Sequence, residues 1–446
     1  MKVLMLCLEF PPVNTTGNYR SAGFARYFSR SGIETVVLTC DVKSGENTFN
    51  KGVDNSLLTG LEKVKIYRFP IKPIPRFWTT GIANTIRIWF KTTDKIDKRW
   101  YYGENRKKID DIINKESPDI IYVSLPPFSM ARTAMLISRK FNLPLVTDMR
   151  DAWSLWVTNP FATRFHYNKI LKLENRLFNS SKLVLGVTPE LVQDFMNQHP
   201  KIKKDKFKTI YNGYDNLGLN STVDKTSNNT IYKIGYVGSF YFDPESEKAT
   251  AIKWYKRKGL KKFYFTPRKE KWVYRSPYFF LKTLSKLLEE NVNLKSKVFF
   301  EFIGNKPDWL NEMVTNLALQ DNFINHGFKS KNEVLKIQSG WDAILATSEK
   351  VEEGEHFCLP SKLFDGVALR KRIFAFVTPG SQYNFLKEYA QVTFFDPDAT
   401  EVNTKILKQL ITANTTVVCD ELSENFTREY QSKKLLNLIK TCVNES

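Results

Sequence analysis

Short apolar runs alternate with amphipathic segments along this chain, and the alternation predicts its fold class. Residues 3–8 are almost entirely apolar, which is typical of a parallel strand buried on both faces of a sheet. A polar loop follows, then a helix that ends near Gly32, and then a second strand at residues 34–39. This strand–loop–helix–strand order predicts the opening of a doubly wound α/β domain.

The same order recurs along the chain and predicts two such domains. Further strands are expected at residues 64–69, 119–125, 144–149, 183–187, 207–211, 231–237, 297–304, 322–328, 342–347 and 372–377. We expect a first domain at residues 1–216, a polar linker at 217–230, a second domain at 231–418 and a C-terminal helix at 419–446. Open parallel sheets bind ligands beyond the carboxyl ends of their strands, so the cleft between the domains is the expected ligand site.

Composition fits a globular, basic protein. The 446 residues are 42% hydrophobic and 14% aromatic, which argues against disorder, and the net charge of +20 points to an anionic partner. Nucleic acid, an anionic membrane surface and phosphorylated ligands all remain candidates for that partner. No run of about 18 apolar residues is present, and the N-terminal apolar run is broken by Glu9 and two prolines. These features favour a cytoplasmic protein.

Cysteine and histidine spacing argues against a disulfide framework and against a metal site. The five cysteines lie far apart without paired spacing, which indicates a reducing compartment. The four histidines are equally scattered. We therefore expect neither a bound metal nor a cofactor.

Residues 354–376 carry the most informative chemistry in the sequence. A polar loop containing Glu355 leads to Pro360, where a helix can start, and Lys362 and Asp365 share one face of that helix. A helix N-terminus beside a lysine suits a phosphate group, and nearby carboxylates suit sugar hydroxyls. The stretch predicts a binding site for a sugar nucleotide. The alternative is a surface salt bridge between Lys362 and Asp365, which would contribute only about 0–1 kcal/mol.

Five segments together resemble a known family. They are PPVNTTGNYR, TDMRDAW, KTIYNGYD, IGYVGSF and EHFCLPSKLFD. In this order and spacing they resemble a retaining glycosyltransferase of family 4, in the branch that has Pro-Ser-Lys-Leu in the donor-site helix. The resemblance covers most of the chain except residues 72–108 and an insertion at 241–274. It implies the GT-B fold, with two Rossmann-like domains facing a cleft and a C-terminal helix crossing back to the first domain.

The resemblance also implies an activity and a donor site. Sugar would pass from a nucleotide-sugar donor to a glycan or lipid-linked acceptor with retained anomeric configuration and without a metal. Glu355 would contact the donor sugar and Asp365 the ribose, where glutamate is commoner. The donor-binding set implied is Gly17, Gly238, Ser239, Arg275, Lys362, Leu363 and Asp365. Within it Ser239 stands where relatives carry an arginine, and Arg275 would take the place of a lysine that relatives carry and neutralise the departing diphosphate.

Candidates for the acceptor side lie in the first domain. Asp151 or Asp148 would orient or deprotonate the acceptor hydroxyl, because both are carboxylates near the end of a strand. Arg150 and Arg20 would line the same region, with Arg20 reaching an anion or remaining solvated. The alternative is an Arg150–Asp151 pair that only holds the loop.

The insertion is rich in basic and aromatic residues. Residues 253–275 contain ten lysines and arginines interleaved with aromatic side chains, and residues 72–108 are similar. This composition suits an anionic bilayer or nucleic acid. Lipid-linked acceptors are common in the family, so docking on the inner face of the cell membrane is the interpretation we prefer, and nucleic acid is not the expected partner. A solvated loop whose aromatics cover the domain edge is the alternative.

Three functions compete at this point. The first is a glycosyltransferase of surface polysaccharide or glycolipid synthesis. The second is a sugar-nucleotide epimerase of GT-B fold, and the third is a non-enzymatic basic scaffold on a degenerate transferase fold. The ordered motif set favours the first.

Overall fold

The computed structural model describes residues 1–15, 17–74, 95–155, 160–215, 231–240, 242, 244, 252, 254–257, 259–413, 420 and 423–444. The predicted linker at 217–230 lies outside the described residues, and so does much of the first half of the insertion. The chain divides into two compact units. The first domain comprises Met1–Asp215, Arg257–Pro267 and Glu424–Ser446, and the second comprises Asn216–Lys256 and Arg268–Ser423.

The first domain is built on a parallel sheet covered by helices. Its strands are β1 (Lys2–Leu6), β2 (Glu34–Cys40), β3 (Lys65–Phe69), β4 (Ile120–Leu125), β5 (Leu145–Met149), β6 (Leu183–Gly186) and β7 (Phe207–Thr209). Its helices are α1 (Asn18–Arg30), α2 (Val42–Phe49), α3 (Asp97–Trp100), α4 (Gly103–Glu116), α5 (Met130–Phe141), α6 (Arg164–Ser180), α7 (Pro189–Gln198) and, far along the chain, α14 (Arg428–Asn444). The strand order is β3-β2-β1-β4-β5-β6-β7, and all described pairs are parallel.

The second domain repeats the plan. Its main strands are β8 (Tyr232–Val237), β10 (Val298–Ile303), β11 (Phe323–Gly327), β12 (Ala343–Thr347), β14 (Arg372–Phe376) and β15 (Val392–Phe394), and β9 (Glu270–Lys271) pairs separately with β13 (Lys350–Val351). Its helices are α8 (Tyr278–Glu290), α9 (Asp308–Asn316), α10 (Lys331–Ser339), α11 (Ser361–Ala368), α12 (Ser381–Leu386) and α13 (Thr400–Thr412). The main sheet has the order β11-β10-β8-β12-β14-β15.

Local sequence explains why these segments form these elements. All six residues of β4 are buried, as its mostly apolar sequence requires in a sheet covered on both faces. Thr188 caps the N-terminus of α7, because its hydroxyl accepts a hydrogen bond from the Leu191 amide. Pro189 follows in the first turn. Ser330 and Glu333 form a reciprocal capping box at the start of α10.

The predicted fold class is confirmed, because two all-parallel doubly wound sheets are present and every strand predicted from the apolar pattern is found. Several described elements were not predicted, among them α2 and the short edge strand β15. Neither has a strong pattern: β15 has only three residues and is half-buried throughout, so no alternation of buried and exposed positions identifies it.

The insertion differs from the expectation that it belongs wholly to the second domain. Arg257–Pro267 is part of the first domain. There Phe265 and Phe161 exchange backbone hydrogen bonds of 2.8 and 2.9 Å, and the Phe265 ring lies 4.9 Å from that of Tyr167. A hydrophobic contact between segments about 100 residues apart decides this placement, and no local sequence pattern encodes such a contact.

The last helix, α14, supplies part of the first domain's core. Leu435, Leu436 and Ile439 are buried with Phe24 and Phe28 of α1 in one hydrophobic cluster. The helix therefore contributes to the stability of a domain that begins more than 400 residues earlier in the chain. Within the described residues, no helix is long and apolar enough to cross a bilayer.

Replacing Ile439 with alanine should lower the free energy of unfolding of the first domain by about 2–5 kcal/mol, since the side chain is fully buried and its removal leaves a cavity. Urea denaturation followed by circular dichroism measures the effect. The matched control is Lys440→Ala, one residue along on the exposed side of α14, which should change stability by less than about 0.5 kcal/mol. Equal stability of the Ile439→Ala variant and the unmodified protein would contradict the assignment of α14 to this core.

Candidate functional site

In each domain the candidate residues lie beyond the carboxyl ends of the central strands. The first strand of each sheet, β1 or β8, lies in the middle of the strand order, next to β4 or β12 respectively. Chain connections leave in opposite directions on either side of such a strand, which opens a crevice there. Each domain therefore offers its own candidate half-site at this crevice.

Gly17 stands where the first domain's loop approaches a charged pair. A Cβ added to Gly17 would lie 1.6 Å from Nη1 of Arg150 and 2.7 Å from Oε2 of Glu9, so a larger residue would displace both groups. Arg150 Nη2 donates to Glu9 Oε1 at 3.0 Å and also to the Pro126 carbonyl. The backbone at Gly17 thus lies close to the guanidinium of Arg150. Arg150 pairs with Glu9, not with Asp151.

Arg20 and Asp148 have a different environment from the one expected of acceptor-site residues. Arg20 is buried, and its Nε and Nη2 donate to the two carboxylate oxygens of Asp148 at 2.8 and 2.7 Å. Its Nη1 donates to the carbonyls of Ile210 and Tyr211, and the Tyr122 hydroxyl donates to Asp148. Arg20 is therefore neither solvated nor available to an anion, because a buried guanidinium needs its charge and its donors satisfied internally.

Asp151 keeps its carboxylate available. It follows the carboxyl end of β5, and the carboxylate makes no hydrogen bond or ion pair with any other described residue. Burial raises its pKa, with Arg150 opposing the shift and Glu9 adding to it. A carboxylate of raised pKa that is not already paired is suited to accept a proton.

In the second domain, Gly238 and Lys362 come together at the end of β8. Gly238 has φ +112°, a backbone conformation that favours glycine, and its amide donates to the Ile303 carbonyl at 2.8 Å. Lys362, in the first turn of α11, places its Nζ about 4.0 Å from the position a Gly238 Cβ would take. Nζ also donates to the Tyr236 hydroxyl, and Lys362 forms no pair with Asp365. Burial lowers the pKa of Lys362 to about 7, despite opposing effects of Cys358 and Glu349.

The remaining predicted donor residues divide between exposed and buried positions. Ser239 and Glu355 are exposed, and the Glu355 carboxylate has no partner among the described residues. Asp365 is half-buried on α11, whereas the side chain of Leu363 is buried in the core and cannot contact a ligand. His356, next to Glu355, is buried with its Nε2 3.1 Å from the Thr378 carbonyl oxygen. This contact anchors the loop that presents Glu355.

Arg275 is not the free cation that its position in the sequence predicts. Its guanidinium donates to both carboxylate oxygens of Glu270 and lies 3.6 Å from Glu349. Burial works against its charge, but Glu349 and Glu270 raise the pKa of Arg275. Two carboxylates already compensate this cation, so it joins β9 to the loop after β12, and Lys362 is the less compensated cation of this half-site.

Sequence reasoning missed Glu9, Glu349 and Tyr236. Glu9 comes just after the apolar run of β1, and Glu349 comes just after β12, so both are the first acids beyond the carboxyl end of a central strand. That position is a usable signal, since parallel sheets present their chemistry at this edge. Tyr236 lies within β8, and only the folded sheet shows that its hydroxyl turns toward α11.

Comparisons with known proteins agree with this architecture. Residues 21–216 match the model of Glycosyltransferase Family 4. No curated protein sequence matches the chain. A glycosyltransferase from Rickettsia africae is 15% identical with a TM-score of 0.60, over 100% of this chain and 99% of that one. A sucrose-phosphate synthase from Thermosynechococcus elongatus is 11% identical with a TM-score of 0.61, over 100% of both chains.

A third similar structure is the lipopolysaccharide outer core galactosyltransferase WaaB, 12% identical with a TM-score of 0.56 over 99% of each chain. At these identities the similarity concerns the fold alone. Alignments that span both domains, together with the two sheets, show that the chain has the two-domain Rossmann-like GT-B fold.

Binding of a nucleoside diphosphate should weaken as pH rises above about 7. Lys362 must be protonated to pair with the diphosphate, and above its pKa of about 7 binding has to take up that proton. Between pH 7 and 9 the dissociation constant should therefore rise by roughly 50-fold. Calorimetric titration with whichever of UDP, GDP or TDP binds gives the measurement.

The control for this pH profile is Lys362→Arg, whose guanidinium stays charged throughout the range. It should bind with little dependence on pH. If the dissociation constant of the variant rises with pH as steeply as that of the unmodified protein, a group other than Lys362 titrates.

Proposed function

We propose that the protein is a retaining glycosyltransferase that moves a sugar from a nucleotide-sugar donor to a glycan or lipid-linked acceptor. The proposal is supported by the match of residues 21–216 to Glycosyltransferase Family 4 and by the GT-B fold of the chain. The observation that carries it is the position of Lys362. Its ammonium lies beside a positive-φ glycine at the central crevice of the second domain, in the first turn of a helix.

The second domain would hold the donor. Gly238 and Ser239 would bring backbone close to the diphosphate, and the N-terminus of α11 together with Lys362 would supply positive charge. Asp365, farther along the same helix, would bind the ribose hydroxyls. Glu355, which is exposed and has no described partner, would bind the sugar being transferred.

The first domain would hold the acceptor. Asp151 would take the proton of the acceptor hydroxyl, which its raised pKa favours. In the reaction the bond from the anomeric carbon to the diphosphate oxygen breaks, and a bond to the acceptor oxygen forms on the same face of the sugar. The nucleoside diphosphate leaves with the bonding electrons, and Lys362 stabilises its developing charge.

The acceptor and setting that we propose are a glycan or glycolipid of surface polysaccharide synthesis, assembled at the cytoplasmic face of the membrane. The charge and the composition of the chain support this setting. A protein of net charge +20 with basic and aromatic surface segments suits an acceptor displayed on an anionic bilayer.

The test is incubation with labelled UDP-, GDP- and TDP-sugars and a membrane extract, which should yield labelled lipid or polymer. Asp151→Asn and Glu355→Gln should each lower kcat by about 10²–10⁴-fold, because one loses a general base and the other a contact to the reacting sugar. Glu353→Gln, an exposed neighbour of the same loop, is the matched control and should retain full activity. Release of a free epimerised sugar without acceptor would favour the epimerase instead, and no turnover of any donor would overturn the proposal.

We also propose that the reaction needs no metal ion. Lys362 and the α11 N-terminus would supply, at the diphosphate, the positive charge that a metal ion supplies in other enzymes. Turnover should therefore be unchanged, within about twofold, by millimolar EDTA. Loss of activity in EDTA that returns with Mg²⁺ or Mn²⁺ would contradict this.

A further inference from the structure

The solvent side of helix α6 is basic along its whole length. Its exposed cations are Arg164, Lys169, Lys172 and Arg176. The one acid in the helix, Glu174, is fully buried and bonded to Ser154 and His199, so it does not offset the surface charge. An outer face with four cations and no exposed acid is unlike an ordinary solvated helix, which mixes both signs.

The basic surface continues past the carboxyl end of α6. Lys206 donates to the Asn179 carbonyl at 3.0 Å, which places the basic run of residues 201–206 beside the helix. In this run Lys201, Lys203 and Lys204 are exposed, with Asp205 as its only acid. Burial and the nearby Lys203 and Lys182 lower the pKa of Lys206, although Asp205 opposes them.

An open pocket lies within this basic surface. Its volume is about 390 Å³, and its lining includes Lys172, Arg176 and Lys201 together with Asn175. Three cations and an amide around one concave site suit an anionic phosphate group. A pocket of this size can accept a lipid headgroup.

Exposed apolar side chains border the other end of α6. Phe165 is 62% exposed and carries the Lys169 ammonium 4.3 Å from its ring centroid. From the insertion, Phe263 is 51% exposed, with Lys262 at 5.1 Å from its ring, and Leu260 is 44% exposed. Phe265, two residues on from Phe263, is fixed against Tyr167 of α6. Large apolar side chains beside lysines are typical of surfaces that enter the headgroup region of a bilayer.

We propose that this surface, consisting of the outer side of α6, residues 201–204 and residues 260–263, docks the protein on an anionic phospholipid bilayer. The cations attract the protein to the anionic bilayer, and the pocket binds a lipid phosphate. Phe165, Phe263 and Leu260 insert among the headgroups. From Phe165 to Arg176 the helix extends about 16 Å, long enough for several headgroups. The proposal rests on the membrane setting of the proposed function and names the surface that would make the contact, whereas its test does not depend on catalysis.

The apolar side chains of the docking surface distinguish a bilayer from nucleic acid as the partner. Nucleic acid would use the same cations, but it would stack bases on aromatic rings and would leave Leu260 exposed to water. A bilayer uses the cations and also buries Leu260 with the two phenylalanines. The observations therefore favour the bilayer.

The experiment measures binding of the full chain to vesicles, without donor or acceptor, at 0.15 M salt. Vesicles of phosphatidylcholine with 30% phosphatidylglycerol should bind the protein, and pure phosphatidylcholine should bind it at least tenfold more weakly. Lys172→Glu/Arg176→Glu should weaken binding by at least roughly 30-fold, since each cation at the surface contributes about fivefold. Phe165→Ser/Phe263→Ser should weaken it about tenfold.

The matched control is Lys433→Glu/Lys440→Glu, which makes the same change of net charge at exposed positions of α14. It should bind within about threefold of the unmodified protein. An equal loss in this control would overturn the proposal, since net charge alone would then explain the binding. Binding to a 20-nucleotide RNA while the anionic vesicles are ignored would also overturn it. Because all these variants change exposed residues, thermal denaturation should match the unmodified protein, and turnover of a detergent-dispersed acceptor is scored separately.

Discussion

The constraint on which the structure depends is the burial of two parallel sheets on both faces. The central strands are largely apolar, and a charged side chain within a strand, such as Asp148 of β5 or Glu301 of β10, is buried with partners that compensate it. Other charged residues lie beyond the carboxyl ends of the strands, as Glu9 and Arg150 do in the first domain and Glu349 does in the second. The same constraint explains why each domain has its half-site at the central crevice.

At these edges the charged residues serve two different purposes. Arg20 with Asp148 and Arg275 with Glu270 are pairs satisfied within the protein, and removing one partner from such a buried pair typically costs about 3–5 kcal/mol. Asp151 and Lys362 are the contrasting residues, because burial shifts the pKa of each toward its neutral form and no opposite charge fully compensates it. The charged forms of Asp151 and Lys362 are stabilised most when a ligand supplies the missing partner, and for this reason the proposed chemistry depends on these two residues.

Membrane docking and sugar transfer would use separate parts of the first domain. Asp151 follows β5, whereas the proposed docking surface is the outer side of α6 and the adjoining segments. Residues 259–275 contribute to both domains, since Phe263 belongs to the docking surface of the first domain and Arg275 pairs with Glu349 in the second.

The sequence by itself determined the order of most strands along the chain, the fold class and the helix that carries Lys362 and Asp365, because apolar periodicity and helix-start residues are local signals. Tertiary structure alone decided which charges are free. In the sequence, Arg20 and Arg275 cannot be distinguished from ligand-binding arginines. In the fold, Arg20 pairs with Asp148 and Arg275 pairs with Glu270. Pairing depends on which side chains meet after strands far apart in the chain become neighbours, and one sequence carries no local record of that.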